Sequence, residues 1–249
     1  MKGSIFVFSN GNLKRKQNTI YFEGDKGIKK FIPVENTAEL HLFGEVTINK
    51  EVLEFLSTNE IILHFYNYYG YYVGSFYPRE HYNSGFMILK QAECYLDKEK
   101  RLELAKRFVF GACKNIEKVL NYYNVREVSL KEILLKISPL EDSITSQHDI
   151  ESLMAIEGNI HEVYYSAFDD IISSEDFSFG ERSRRPPKNR INALISFGNS
   201  LMYTTVLSEI YKTHLDPRIG FLHATNFRRF TLNLDVAEIF KLDFITSKI

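Results

Sequence analysis

The sequence predicts an α+β chain of two domains: a β-sandwich or β-roll with one short helix over residues 1–84, then an all-α domain over 85–249. Three observations predict it. Residues 1–80 hold short segments rich in β-branched and aromatic side chains, separated by glycine-bearing turns. From Gly85 onward the apolar residues recur with a helical period instead. The chain has 249 residues, 44% of them hydrophobic and 25% charged, which suits a soluble globular protein with a sizeable core.

The strands expected in order are SIFVF, NTIYFE, KKFIPV, ELHLFG, IILHFYN and YYVGSFY, with SNGN, EGDKG and NYYG as turns. The opening MKGSIFVF has too short an apolar run for a signal peptide and reads as a strand. In NKEVLEFLSTN, the apolar stripe Val52, Leu53, Phe55 and Leu56 makes a helix that Asn49 can cap. After YPREHYNS, a long amphipathic helix runs through QAECYLDKEKRLELAKRFVFGACKNIEKVLNYYN, with a kink expected near Gly111. A second helix, VSLKEILLKIS, should stop at Pro139, because proline lacks the donor that continues a helix. A third starts near Asp149, a fourth covers INALISFGNSLMYTTVLSEIYKTH, and a fifth begins around Leu232. No apolar run approaches the roughly 18 residues that span a bilayer, so a cytoplasmic protein with no membrane contact is expected. Cys94 and Cys113 have no partner at zinc spacing and read as buried, reduced thiols.

The net charge of −1 conceals an asymmetry: residues 1–80 are neutral, 81–180 carry −6 and 181–249 carry +5. A polyanion contact confined to the last third fits this split, as does a basic face paired with an acidic one within the protein. RSRRPPKNR gathers five positive charges between Arg182 and Arg190, held open by Pro186 and Pro187. Arg184, Arg185 and Lys188 from this loop, with Arg218, Arg228 and Arg229, make a candidate nucleic-acid surface that would read backbone rather than base sequence.

Metal-friendly side chains cluster nearby in the sequence. Asp235 and Glu238 are three residues apart and share a helical face; His223 closes the apolar run IGFL ahead of them. Glu157 lies within an apolar helical stripe, and Gly158 beside it costs about 1 kcal/mol against alanine, which suggests that something large approaches the backbone there. His161, one turn on, is a rival ligand partner for Glu157. Each feature has a plain structural counterpart: a solvated acidic face, a core histidine, an inconsequential glycine.

Taken together, MAIEGNIHEVYY, RRPPKNRINALISFGNSLMY, LDPRIGFLH and LNLDVAEIF resemble, in that order, the CRISPR-associated integrase/endonuclease of spacer acquisition, the family of CRISPR-associated protein one. FGEVTINKEVLEFLSTNEIILHFYNYYGYYVGSFYP resembles its β-domain. The resemblance implies a homodimer, formed through the β-domain, that works with a dimer of CRISPR-associated protein two on double-stranded DNA. It implies a metal-dependent DNA endonuclease and integrase that inserts captured fragments as new spacers through 3′-hydroxyl attack on phosphodiesters. The implied catalytic metal ligands are Glu157, His223 and Glu238, with Asp235 supporting them and Mn²⁺ or Mg²⁺ as the ion. The family shows no fixed ligand at His161 or His214, and both are set aside. The relatives continue through further helices, whereas this chain stops at Ile249 in FKLDFITSKI, without the proline they carry after that lysine. Weakened metal affinity is therefore expected, and the alternative reading is a non-catalytic DNA-binding or assembly subunit. A small-molecule metallohydrolase would leave the basic loop without a task.

Overall fold

A computed structural model describes residues 2–24, 27–78, 84–126, 129–172, 174–184, 186–225 and 230–246, without the side chains of 175 and 242–246. The chain divides into two compact units, Met1–Asn83 and Ser84–Ile249.

The first unit is built on two four-stranded sheets. One has the order β1 (Gly3–Val7), β5 (Thr37–Leu42), β7 (Ile62–Tyr66), β8 (Tyr72–Phe76); its first three strands are parallel and β8 is antiparallel to β7. The other has the order β4 (Lys29–Ile32), β3 (Thr19–Gly24), β2 (Gly11–Lys16), β6 (Val46–Ile48), with β6 parallel to β2. Parallel neighbours need a crossover, and α1 (Lys50–Thr58) supplies one between β5 and β7. Asn49 caps it, its side chain accepting from the Val52 amide at 3.0 Å. Val52, Phe55 and Leu56 of α1 join Leu13, Ile20, Leu40, Leu42 and Leu63 in one apolar core. Full burial stabilises each such side chain by about 1.5–3 kcal/mol.

Two strands were not expected from the sequence. In β2 only Leu13 faces the core, and the run Lys14-Arg15-Lys16 masks the alternation. β6 has just three residues and none is fully buried.

The second unit is helical: α2 (Gly85–Leu96), α3 (Lys98–Arg126), α4 (Lys131–Ile144), α5 (Ile150–Tyr165), α6 (Phe168–Ile171), α7 (Arg190–Tyr211) and α8 (Thr231–Thr246). Two expectations are corrected here. The long helix breaks at Asp97, not Gly111, because Asp97 turns extended and its carboxylate accepts the Lys100 amide at 3.1 Å, capping α3. Gly111 lies in unbroken helix, where a Cβ would sit 3.5 Å from Ile239 of α8, an ordinary contact. Pro139 does not end α4. It falls on the exposed side, and burial of Ile133, Ile137 and Ile144 on the other side carries the helix past it.

α3 is the axis of this unit. Ala105, Val109, Cys113, Ile116 and Leu120 share one apolar core with Leu153, Ile160 and Tyr164 of α5 and Ile191 and Ile195 of α7. α8 lies along α3 and α7, tied by Asn115 Nδ2 to the Ile239 carbonyl (2.7 Å) and by Asn233 Nδ2 to the Tyr203 carbonyl (3.1 Å). Cys113 is buried and Cys94 only half-buried. Among the described residues no helix is long and apolar enough to cross a membrane.

Candidate metal centre

Three elements meet at the centre. α5, capped by Asp149 onto the Ser152 amide at 2.8 Å, presents Glu157 and His161 one turn apart. α8 presents Asp235, Glu238 and Lys241, spaced by three so that they follow one face. The segment Asp216–His223 lies against the start of α8, with the Leu232 amide donating to the Pro217 carbonyl at 3.0 Å. Gly220 is required in this segment. A Cβ there would fall 2.6 Å from the Thr231 carbonyl carbon and 2.7 Å from Asp235 Oδ2.

Asp235 is fully buried and organises the segment. Its Oδ2 accepts the amides of Phe221 (2.5 Å) and Leu222 (3.0 Å), and its Oδ1 accepts the His223 amide at 3.0 Å. Oδ1 also lies 2.8 Å from His223 Nδ1, a contact that holds the imidazole through that nitrogen. Burial pulls the His223 pKa down, but the Asp235 hydrogen bond and charge, reinforced by Glu238 and Glu157, raise it above the ordinary value.

Ligand atoms of Glu157, His161 and Glu238 lie within 4.8 Å of one another. His161 Nδ1 is 3.2 Å from Glu157 Oε1, and His161 Nε2 is 3.5 Å from Glu238 Oε2. Glu238 Oε2 forms an ion pair with Lys241 Nζ but no well-directed hydrogen bond, and His161 Nε2 is buried with none. Burial, then the Glu238 charge, pushes the Glu157 pKa up to about 7 against Lys241 and His223. Burial also raises Glu238, but Lys241, His161 and His223 outweigh it and hold that carboxylate below its usual value. Burial, then Lys241, drives His161 down to about 3, so its imidazole is neutral and able to donate an electron pair.

This arrangement fits a divalent cation. Two carboxylates crowd together with one ammonium paired to Glu238, and a buried imidazole nitrogen lacks a partner, while the mixed N/O donor set suits a divalent metal ion. The structure therefore brings Glu157 and Glu238 together with His161; His223, held by Asp235, acts on both carboxylates electrostatically but is not among the ligand atoms gathered within 4.8 Å. His161, set aside on the sequence, sits inside the cluster, which corrects that reading; its spacing of four from Glu157 was the signal for it. Lys241 was not singled out, although its spacing of three from Glu238 puts the two on one face. His214 is exposed and belongs to no such cluster among the described residues. Gly158 is exposed, with open space where a Cβ would project, so no described part of this chain makes the close approach expected there.

The basic residues are less uniform. Arg184 is exposed, and its charge acts on His161 and Tyr203. Lys188 pairs with Glu181 at 3.2 Å in solvent. Arg218 turns its guanidinium onto Asp216, with Nε at 2.9 Å from Oδ1. Arg182 anchors the loop from within through Asn192 Oδ1 at 2.8 Å. Arg185, Arg228 and Arg229 lie outside the described residues.

Residues 5–247 match the family model described as CRISPR associated protein Cas1. The chain belongs to the Cas1 family. A relative from Thermodesulfovibrio yellowstonii, named CRISPR-associated endonuclease Cas1 2, is 65% identical over 97% of this chain and 73% of its own length. The CRISPR-associated endonuclease Cas1 of Thermotoga maritima is 54% identical over 96% of this chain and 72% of its own. A solved Cas1 structure from Thermotoga maritima superposes with a TM-score of 0.85 at 50% identity, covering 99% of this chain and 80% of that one. A casposase bound to integration product shares the fold at a TM-score of 0.87 and 18% identity, covering all of this chain and 73% of its own. The α+β, two-part architecture read from the sequence is that of this Cas1 structure.

Proposed function

We propose that this Cas1 chain is a divalent-metal-dependent DNA endonuclease and integrase that inserts captured DNA fragments as spacers into a CRISPR array. The observation that carries the reading is the convergence of two carboxylates, from α5 and α8, with His161, within electrostatic reach of a histidine oriented by a buried aspartate. Relatives at 65% and 54% identity bear the name endonuclease, which supports the same chemistry here.

Glu157, Glu238 and His223 would hold the ion, Mn²⁺ or Mg²⁺. When bound, it supplies a Lewis acid for a phosphoryl oxygen and lowers the pKa of an attacking water or 3′-hydroxyl. Asp235 fixes the imidazole tautomer of His223 and draws Phe221–His223 into place through three amides. His161 holds Glu157 against rotation from Nδ1. Lys241 provides positive charge next to Glu238, where phosphate oxygens would gather. Arg184, with Arg185, Lys188, Arg218, Arg228 and Arg229, would grip the duplex backbone and align it for in-line attack. The β-rich unit would form the homodimer, which would work with a dimer of the Cas2 protein in the cytoplasm.

The test is cleavage and joining of linear and branched DNA in Mn²⁺. The wild-type chain should react, and chelation or Glu157→Ala should abolish reaction while salt-sensitive DNA binding persists. A wild-type chain that binds DNA yet neither cuts nor joins it would instead be the non-catalytic assembly subunit.

A further inference from the structure

A second cluster of ligating side chains lies in the β-rich unit. Glu39 and His41 are two residues apart on β5 and so share a face. The parallel register sets His41 directly opposite His64 of β7. Their ligand atoms lie within 4.8 Å of one another, and Glu39, His41 and His64 are 5%, 1% and 0% exposed.

The two rings are aimed from behind. His64 Nδ1 lies 2.6 Å from Ser75 Oγ, and His41 Nδ1 lies 3.0 Å from Tyr66 Oη. Each ring thus presents Nε2 to the same atom, Glu39 Oε2, at 3.1 Å from His64 and 3.4 Å from His41. Charge-assisted N–H···O⁻ bonds run about 2.7–2.9 Å, shorter than either. An ion bound tetrahedrally at about 2.0–2.1 Å from each donor sets them about 3.3 Å apart, which both distances match. Hydroxyls on the distal ring nitrogens are the outer contacts that hold histidine ligands in orientation.

We propose that Glu39, His41 and His64 form a binding site for one transition-metal dication, Zn²⁺ being the best match to two imidazoles and a carboxylate. The hard ions Mg²⁺ and Ca²⁺, which take oxygen ligands, are excluded by the same donor set. The site ties β5 to β7, so the ion serves the sheet rather than the α5–α8 centre. Because all three donors are buried, the ion enters as the sheet forms, and binding adds to folding stability.

The experiment refolds the 249-residue chain from denaturant with Zn²⁺ alone, Mg²⁺ alone or no metal, then washes with chelator and measures bound metal. Glu157→Ala serves as the parent, so that the α5–α8 centre does not contribute. The expected result is roughly one Zn²⁺ per chain, no retained Mg²⁺, and a higher unfolding midpoint with Zn²⁺. His41→Gln and His64→Gln should lose the retained zinc. Refolding with Co²⁺ reads the site without those substitutions: visible bands of tetrahedral Co²⁺ in the Glu157→Ala chain support it. Absence of both zinc and those bands would overturn the proposal, as would zinc retained undiminished in both histidine variants. DNA cleavage by the wild-type chain is a separate readout, so this proposal and the nuclease reading fail independently.

Discussion

His161 stands between the two carboxylates of the α5–α8 centre, and His161→Ala removes the imidazole that bridges them. Outer contacts of this kind are worth about 10–100-fold in metal affinity, so Mn²⁺ titration should show a loss in that range without loss of fold. An unchanged affinity would remove His161 from the centre. Gly220→Ala puts a methyl group against the Thr231 backbone and the Asp235 carboxylate, and denaturant unfolding should record about 1–3 kcal/mol of destabilisation. Cys113 offers a further check: burial, then the charges of Glu141 and Glu117, pushes its thiol up to about 12. It should resist alkylation in the native chain well above neutral pH and react once the chain unfolds. Much of this centre was legible by residue type, since Glu157, Asp235, His223 and Glu238 stand out as polar groups in apolar runs. The Asp235–His223 contact was not, because eleven residues separate the two in the chain.

The elements that matter most are α5, α8 and the Asp216–His223 segment that positions His223. Asp216 fastens the start of that segment: its carboxylate takes the Arg218 guanidinium and amide, and its amide donates to Gln91 Oε1 of α2 at 2.7 Å. The Arg218 hydrogen bond holds the Asp216 pKa below its ordinary value despite burial. The folded value is therefore lower than the unfolded one of about 3.9. The stability it contributes is present above that unfolded value and is lost as pH falls through the folded one. Unfolding measured from pH 6 down to pH 2 should show a steeper acid loss in the wild type than in Asp216→Asn, and parallel curves would contradict the linkage. Helix starts were legible at Asn49 and Asp149, where the capping residue precedes an apolar stripe. Interruptions were harder, because a cap at Asp97 and tertiary burial around Pro139 outweigh the local preferences of Gly111 and Pro139. β2 and β6 were hidden for a related reason: pairing with neighbours, rather than their own alternation, makes them strands.

Across the whole molecule, the sequence separates a β-rich part from a helical one, and the positive charge of residues 181–249 falls in the part that carries the candidate metal centre. Arg184 is exposed, and its charge reaches His161 of the candidate centre. If it contacts phosphate, Arg184→Ala should weaken duplex binding alike for all sequences and reduce the salt slope by about one. A full wild-type slope would place the duplex elsewhere. The central claim is that Glu157, Glu238 and the Asp235-anchored His223 hold one catalytic dication. Manganese anomalous scattering from Mn²⁺-soaked crystals tests it most directly. The account predicts a peak about 2.0–2.6 Å from both carboxylates and His223 Nε2, with Lys241 displaced from the coordinating oxygen of Glu238. No peak at those three residues, with Lys241 still paired to Glu238, would contradict it.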